Sequence, residues 1–206
     1  VLLVLALSVI CIRVEDKEQI KCSCQPWFVI GWACLALFLS IVQFSREQTR
    51  IGLEQRAANG EDTVMLREAY EKLSRAVYFR THPAFLFNYA LYLSESGQYV
   101  ECLSVLERYD AYRCNYDAQM FRAYMLLYVG EEGAAVKAFK LASQMLPGRL
   151  QPRYEIMTLY ERMGRHDVAL RCAQEALALP LKVKNSRVLY FQKQFQDYVS
   201  IHDVQH

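Results

Sequence analysis

Three glycines set the period of this chain. Gly97, Gly130 and Gly164 stand 33 and 34 residues apart, and each falls between two helical runs, in LYLSESGQY, MLLYVGEEG and TLYERMGRH. A glycine at such a place ends a helix, because the residue that follows the last turn adopts a left-handed conformation. Similar residue types recur around each glycine. Ala123 and Leu126 precede Gly130; Ala135, Phe139 and Ala142 follow it, and Pro147 closes the segment. Tyr160 precedes Gly164; Ala169, Ala173 and Ala176 follow, with Pro180 near the close. Around Gly97 stand Ala90, Leu93, Tyr99, Cys102 and Leu106, with cysteine in an alanine's place and no closing proline. Antiparallel helices approach closely only where one of them lacks bulk, and an aromatic ring from a neighbour then fills the gap. One such pair cannot bury its apolar face alone, so stacked pairs must supply the core.

The period, the helix–turn–helix form and the small–aromatic–small stripe together resemble the tetratricopeptide repeat. The resemblance implies three repeats over residues 83–180. Residues 45–82 read as a degenerate first repeat or cap, because Gly60 and Gly97 are 37 residues apart and the spacing has slipped. Within it, REQTRIGLEQRAANGED reads as a polar helix ending near Asn59-Gly60. TVMLREAYEKLSRAVYFR follows as a second helix that His82-Pro83 ends. Residues 181–206 read as a C-terminal capping helix and tail, with Tyr190, Phe191, Phe195 and Tyr198 on a helix over 185–199. With only 8 glycines and 5 prolines to interrupt 206 residues, the whole chain is expected to be all-α.

The N-terminus has a different texture, and residues 1–44 read as a membrane anchor. Residues 27–44, WFVIGWACLALFLSIVQF, carry no charge, with Trp27 and Trp32 at one end and Arg46 and Arg50 just beyond the other. Such a run reads as a transmembrane helix. Residues 1–12, VLLVLALSVICI, are apolar but too short to cross a hydrocarbon core of ~30 Å. They read as the end of a truncated second span, in a chain that begins partway through a longer membrane protein. The polar hairpin between the runs and the segment beyond residue 44 carry three basic residues each, so charge does not orient the spans.

Sequence motifs for chemistry are missing. There is no phosphate loop, no nucleophile elbow, no H-E-x-x-H and no dinucleotide fingerprint. Cys11, Cys34, Cys102 and Cys172 read as packing residues, and the C-x-C of Cys22 and Cys24 has no second pair at zinc-like spacing. His82, His166, His202 and His206 do not cluster in sequence with carboxylates and read as solvent-facing. A net charge of +2 with no basic stripe argues against nucleic acid. No catalytic, cofactor or metal residue is assigned, and no cofactor is expected.

What remains is a repeat surface. The resemblance implies a concave face lined by first helices that takes a protein or peptide partner. Candidate lining residues are Asn88, Tyr92, Gln119, Tyr124 and Tyr154. The order of two apolar spans, repeats and the closing segment PLKVKNSRVLYFQKQ also resembles the C-terminal part of O-antigen ligase-like bacterial membrane proteins. That resemblance implies a glycan-transferring parent whose catalytic residues lie outside this sequence. The expected function is a scaffold for protein–protein interaction, anchored in the lipid bilayer of a bacterial inner membrane. The alternative is the non-catalytic tail of such a glycan ligase or polymerase.

Overall fold

The structure is a computed structural model that describes residues 26–60, 63–180 and 185–202. The expected first span, Cys22, Cys24 and His206 lie outside the described residues. Every regular element among the described residues is helical. The chain divides into two compact units between Ala69 and Tyr70.

In the first unit, α1 (Pro26–Ala58) is one helix of 33 residues, about 50 Å long at ~1.5 Å per residue. Its apolar half is exposed all round: Trp32, Leu37, Phe38 and Phe44 each leave more than half their surface open. Ser40 returns its hydroxyl to the carbonyl of Ala36 at 2.8 Å, which satisfies a polar group within the helix. Ile30–Ala58 is long and apolar enough to cross a membrane, and among the described residues it alone is. The polar stretch after residue 45 continues the same helix instead of starting another. Arg, Glu, Gln and Leu are good helix formers, and Arg50 pairs with Glu47 at 2.9 Å and with Glu54 one turn on. The helix stops at Ala58, where Gly60 turns left-handed at φ 68°.

Helix α2 (Thr63–Arg75) crosses the division. The second expected helix does not run to His82: Ala76 is extended, and a single turn, α3 (Val77–Arg80), follows. Arg108 offsets the break. Its Nη2 donates to the carbonyl of Ser74 at 3.4 Å and to that of Arg80 at 3.3 Å. Then come three pairs: α4 (Pro83–Glu95) with α5 (Tyr99–Asp110), α6 (Tyr116–Tyr128) with α7 (Glu132–Met145), and α8 (Gln151–Arg162) with α9 (His166–Leu177). Each helix packs on its sequence neighbour, and α10 (Ser186–His202) closes the stack on α9. Caps set the starts. Pro83 opens α4 with His82 as its cap, Asn115 accepts from the Ala118 amide at 2.9 Å, and Asn185 accepts from the Val188 amide at 2.9 Å.

The three periodic glycines perform one and the same turn. Gly97, Gly130 and Gly164 have φ of 73°, 80° and 70°. In each turn the next residue's amide reaches back across six residues: Gln98 to Leu93, Glu131 to Leu126 and Arg165 to Tyr160, all at 2.8 Å. This is the Schellman closure of a helix. It aims the second helix so that small residues meet the first. Cys102, Ala135 and Ala169, each five residues past its glycine, are all 0% exposed. Cys102 fills the alanine slot and donates its thiol to the carbonyl of Ala90 at 3.1 Å. Burial pushes that thiol up to about 12, so it is a neutral packing group. Phe139, also fully buried, fills the space between α6 and α7 and the pair that follows.

Two substitutions separate the turn from the packing. Nothing lies within 4 Å of a Cβ placed on Gly130, so Gly130→Ala is opposed only by the left-handed backbone and should cost about 1–2 kcal/mol. Ala135→Leu forces three more heavy atoms into a closed slot and should cost about 1–3 kcal/mol or more. Thermal and denaturant unfolding of the solubilised protein measure both; an unchanged midpoint for Ala135→Leu would remove the close-approach account.

Candidate interaction surface

The helix period and the glycine register together define an outward face. On the first helix of each pair, the open positions lie thirteen, nine, six and two residues ahead of the glycine, one stripe at helical spacing. The positions nine ahead are Asn88, Phe121 and Glu155, and those six ahead are Leu91, Tyr124 and Thr158; all are half-buried or exposed.

Asn88 and Tyr124, of the five residues expected to line the face, lie on this stripe. Tyr92 does not: it is 7% exposed and stacks on Tyr70 with centroids 4.9 Å apart. Gln119 is 2% exposed; its amide donates to Asp110 at 2.9 Å and to the Cys114 sulfur at 3.3 Å. Arg122 binds the same Asp110 carboxylate at 3.1 Å, so this cluster stitches α5 to α6. Tyr154 sits on the flank, with its ring 5.4 Å from Phe191 and 6.1 Å from Phe195 of α10. Phe121, Gln151 and Glu155 were not anticipated. Reading each residue's offset from its own glycine would have found them.

The stripe is knitted across pairs. Tyr124 donates its hydroxyl to Glu155 Oε1 at 2.8 Å and accepts from the Gln151 amide at 3.1 Å. Burial, reinforced by the Glu155 carboxylate, pushes the Tyr124 phenol up to about 12. Phe87 and Phe121 meet edge to face at 5.8 Å and join α4 to α6.

At one end of the face, a cavity of about 650 Å³ opens between the N-termini of α6, α8 and α10. Arg149 and Arg187 line it, and among the described residues neither pairs with a carboxylate. Arg149 lies over the Tyr116 ring at 4.6 Å. The Tyr116 hydroxyl is buried at this wall, with Arg149 as its polar neighbour. Two guanidinium groups, a buried hydroxyl and three helix N-termini make the cavity receptive to an anionic group.

A groove of about 510 Å³ lies between α5 and α7, with Leu103, Leu126 and Leu141 among its walls. At the far end of the stack, Glu161 receives the Tyr198 hydroxyl and lies 2.9 Å from His166 Nδ1. Tyr198 first, and His166 with it, hold that carboxyl below its ordinary range.

Solved structures share this arrangement. One crystal structure of MamA superposes with a TM-score of 0.53 at 18% identity, over 71% of this chain and 87% of that one. The fold is tetratricopeptide-like. A second MamA crystal structure gives 0.56 at 15% identity, over 75% and 82% of the two chains. The C-terminal part of a TPR repeat-containing protein from Cytophaga hutchinsonii gives 0.55 at 15% identity, over 73% and 58%. No protein-family description matches the sequence, and no curated protein matches it. Identities this low establish the fold alone.

The Tyr124 contact predicts an alkaline signature. A raised phenol stabilises the fold fully below its ordinary value of 10.0, and this contribution is lost as pH rises through about 12. Tyr124→Phe should therefore flatten the fall in stability over that window. It should also remove one late-titrating phenol from the absorbance titration near 295 nm. Equal slopes in both proteins would show that the hydroxyl is not held by Glu155.

Proposed function

We propose that this chain is a membrane-anchored scaffold of the bacterial cell envelope that binds an extended segment of a partner protein on its first-helix face. The observation that carries the reading is the continuous stripe of Asn88, Phe121, Tyr124 and Glu155, leading toward the basic cavity at Arg149 and Arg187. Aromatic rings offer area at small entropic cost, and the cavity takes an acidic side chain or a chain-terminal carboxylate of the partner. Anchoring rests on α1, whose apolar half is exposed among the described residues. The inner membrane is the bilayer proposed.

A second reading makes the chain the non-catalytic tail of an O-antigen ligase-like glycan transferase. What favours it is the order of an apolar helix, helix pairs and a closing helix. In that case the same face docks a partner while the transfer chemistry lies elsewhere.

A benzophenone side chain in place of Phe121 should cross-link a partner in cells, whereas one in place of Lys137, on the α5–α7 groove, should not. Arg187→Glu should weaken the Phe121 cross-link several-fold. Cross-linking from Lys137 alone would move the docking face to the second helices. The protein should also stay with membranes after carbonate washing and be released when Leu37 and Phe38 are both changed to lysine; release of the unaltered protein would remove the anchor.

A further inference from the structure

Glu161, His166 and His202 come together from three separate elements. Glu161 lies in the last turn of α8, His166 is the first residue of α9, and His202 is the last of α10. One ligand atom from each lies within 4.8 Å of the other two. His166 Nδ1 is 2.9 Å from Glu161 Oε2, and His202 Nε2 is 3.9 Å from Glu161 Oε1. The two imidazoles lie nearly parallel, 17° apart, with centroids separated by 6.5 Å.

The hydrogen bonds around these groups fix what they offer. His202 Nδ1 is 2.9 Å from the carbonyl of Tyr198. A carbonyl only accepts, so Nδ1 carries a proton, and a neutral ring in this tautomer turns its Nε2 lone pair toward Glu161. A second ring nitrogen bonded to a backbone carbonyl is how metal-bound histidines are usually oriented. The Tyr198 hydroxyl donates to Glu161 Oε2 and steadies the carboxylate in the same way. In that tautomer Nε2 of His202 and Oε1 of Glu161 are two acceptors 3.9 Å apart. A cation between them satisfies both.

We propose that Glu161, His166 and His202 form a site for a borderline divalent transition metal, of the zinc, cobalt or nickel class, which clamps the closing helix α10 to the last helix pair. Two imidazole nitrogens and one carboxylate oxygen suit these ions better than calcium or magnesium, which favour all-oxygen sets. Bonds of about 2.0–2.1 Å bring tetrahedral donors to about 3.3 Å from one another. The closure needed is small: His166 already lies 2.9 Å from Glu161, and His202, at 3.9 Å, has only to draw in with the end of α10. The neutral ring of His166 then carries its proton on Nε2, exchanged through solvent, and gives Nδ1 to the ion. Water completes the coordination. The left-handed turn at Gly164 holds Glu161 and His166 at a fixed separation, so the ion chiefly recruits α10.

The test is a Co²⁺ titration of the solubilised full chain, read by tetrahedral visible absorption, with Zn²⁺ as competitor and thermal unfolding as a second readout. The unaltered protein should bind one Co²⁺ through this site, release it to Zn²⁺ but not to Ca²⁺, and unfold at a higher temperature with Zn²⁺ present. His166→Gln and His202→Gln should each weaken binding by about tenfold or more and remove the thermal shift, with helix content by circular dichroism unchanged. His82→Gln, a distant histidine, should leave the cobalt spectrum and the thermal shift induced by Zn²⁺ as they were. Absence of a tetrahedral cobalt spectrum, or an affinity unchanged by either His166→Gln or His202→Gln, overturns the site; in the second case the ion is held elsewhere in the chain.

Discussion

Close approach of paired helices is the interaction on which the rest of the second unit depends. Cys102, Ala135 and Ala169 have no exposed surface, because a neighbouring helix lies directly against each of them. That approach needs two things at once: a missing side chain at the contact and a turn that aims the helix at it. The left-handed glycine five residues earlier supplies the turn, and its two backing hydrogen bonds satisfy carbonyls that the helix end would otherwise leave open. With both in place, larger groups such as Phe139 and Leu106 have a defined space to fill. The outward stripe is the remainder, made of whatever the turn does not direct inward.

This dependence explains what the sequence disclosed. Spacing and residue type at Gly97, Gly130 and Gly164 report the turn and the contact together, so the pairs, the alanine slots and the cysteine that stands in one of them were all legible. The outward face was only partly so. Asn88, Tyr92, Gln119, Tyr124 and Tyr154 occupy five different offsets from their glycines, and no single helix face contains five such offsets. Polarity and aromaticity guided that selection, but Gln119 spends its amide on Asp110 and Tyr92 spends its ring on Tyr70. Those partners lie across helix boundaries, where local pattern carries no information.

Two boundaries were misread for opposite reasons. A change from apolar to charged residues near Arg46 looks like a change of element, yet helix propensity continues through it and so does α1. The break at Ala76 has no glycine or proline to announce it; it persists because Arg108, far along the chain, reaches carbonyls on both sides. The meeting of Glu161 with His166 and His202 belongs to the same class. His202 is distant in sequence, and only the docking of α10 brings it near.

The pattern of packing also has a mechanical consequence. Helices in the second unit touch chiefly the helices next to them in sequence, so among the described residues no strap or long crossover ties the first pair to the last. Such a stack stores its stability in successive interfaces. Pulled from the C-terminus, it would yield in steps, α10 first and then one pair at a time. Each step would be governed by a single interface, and the pairs behind it would remain folded.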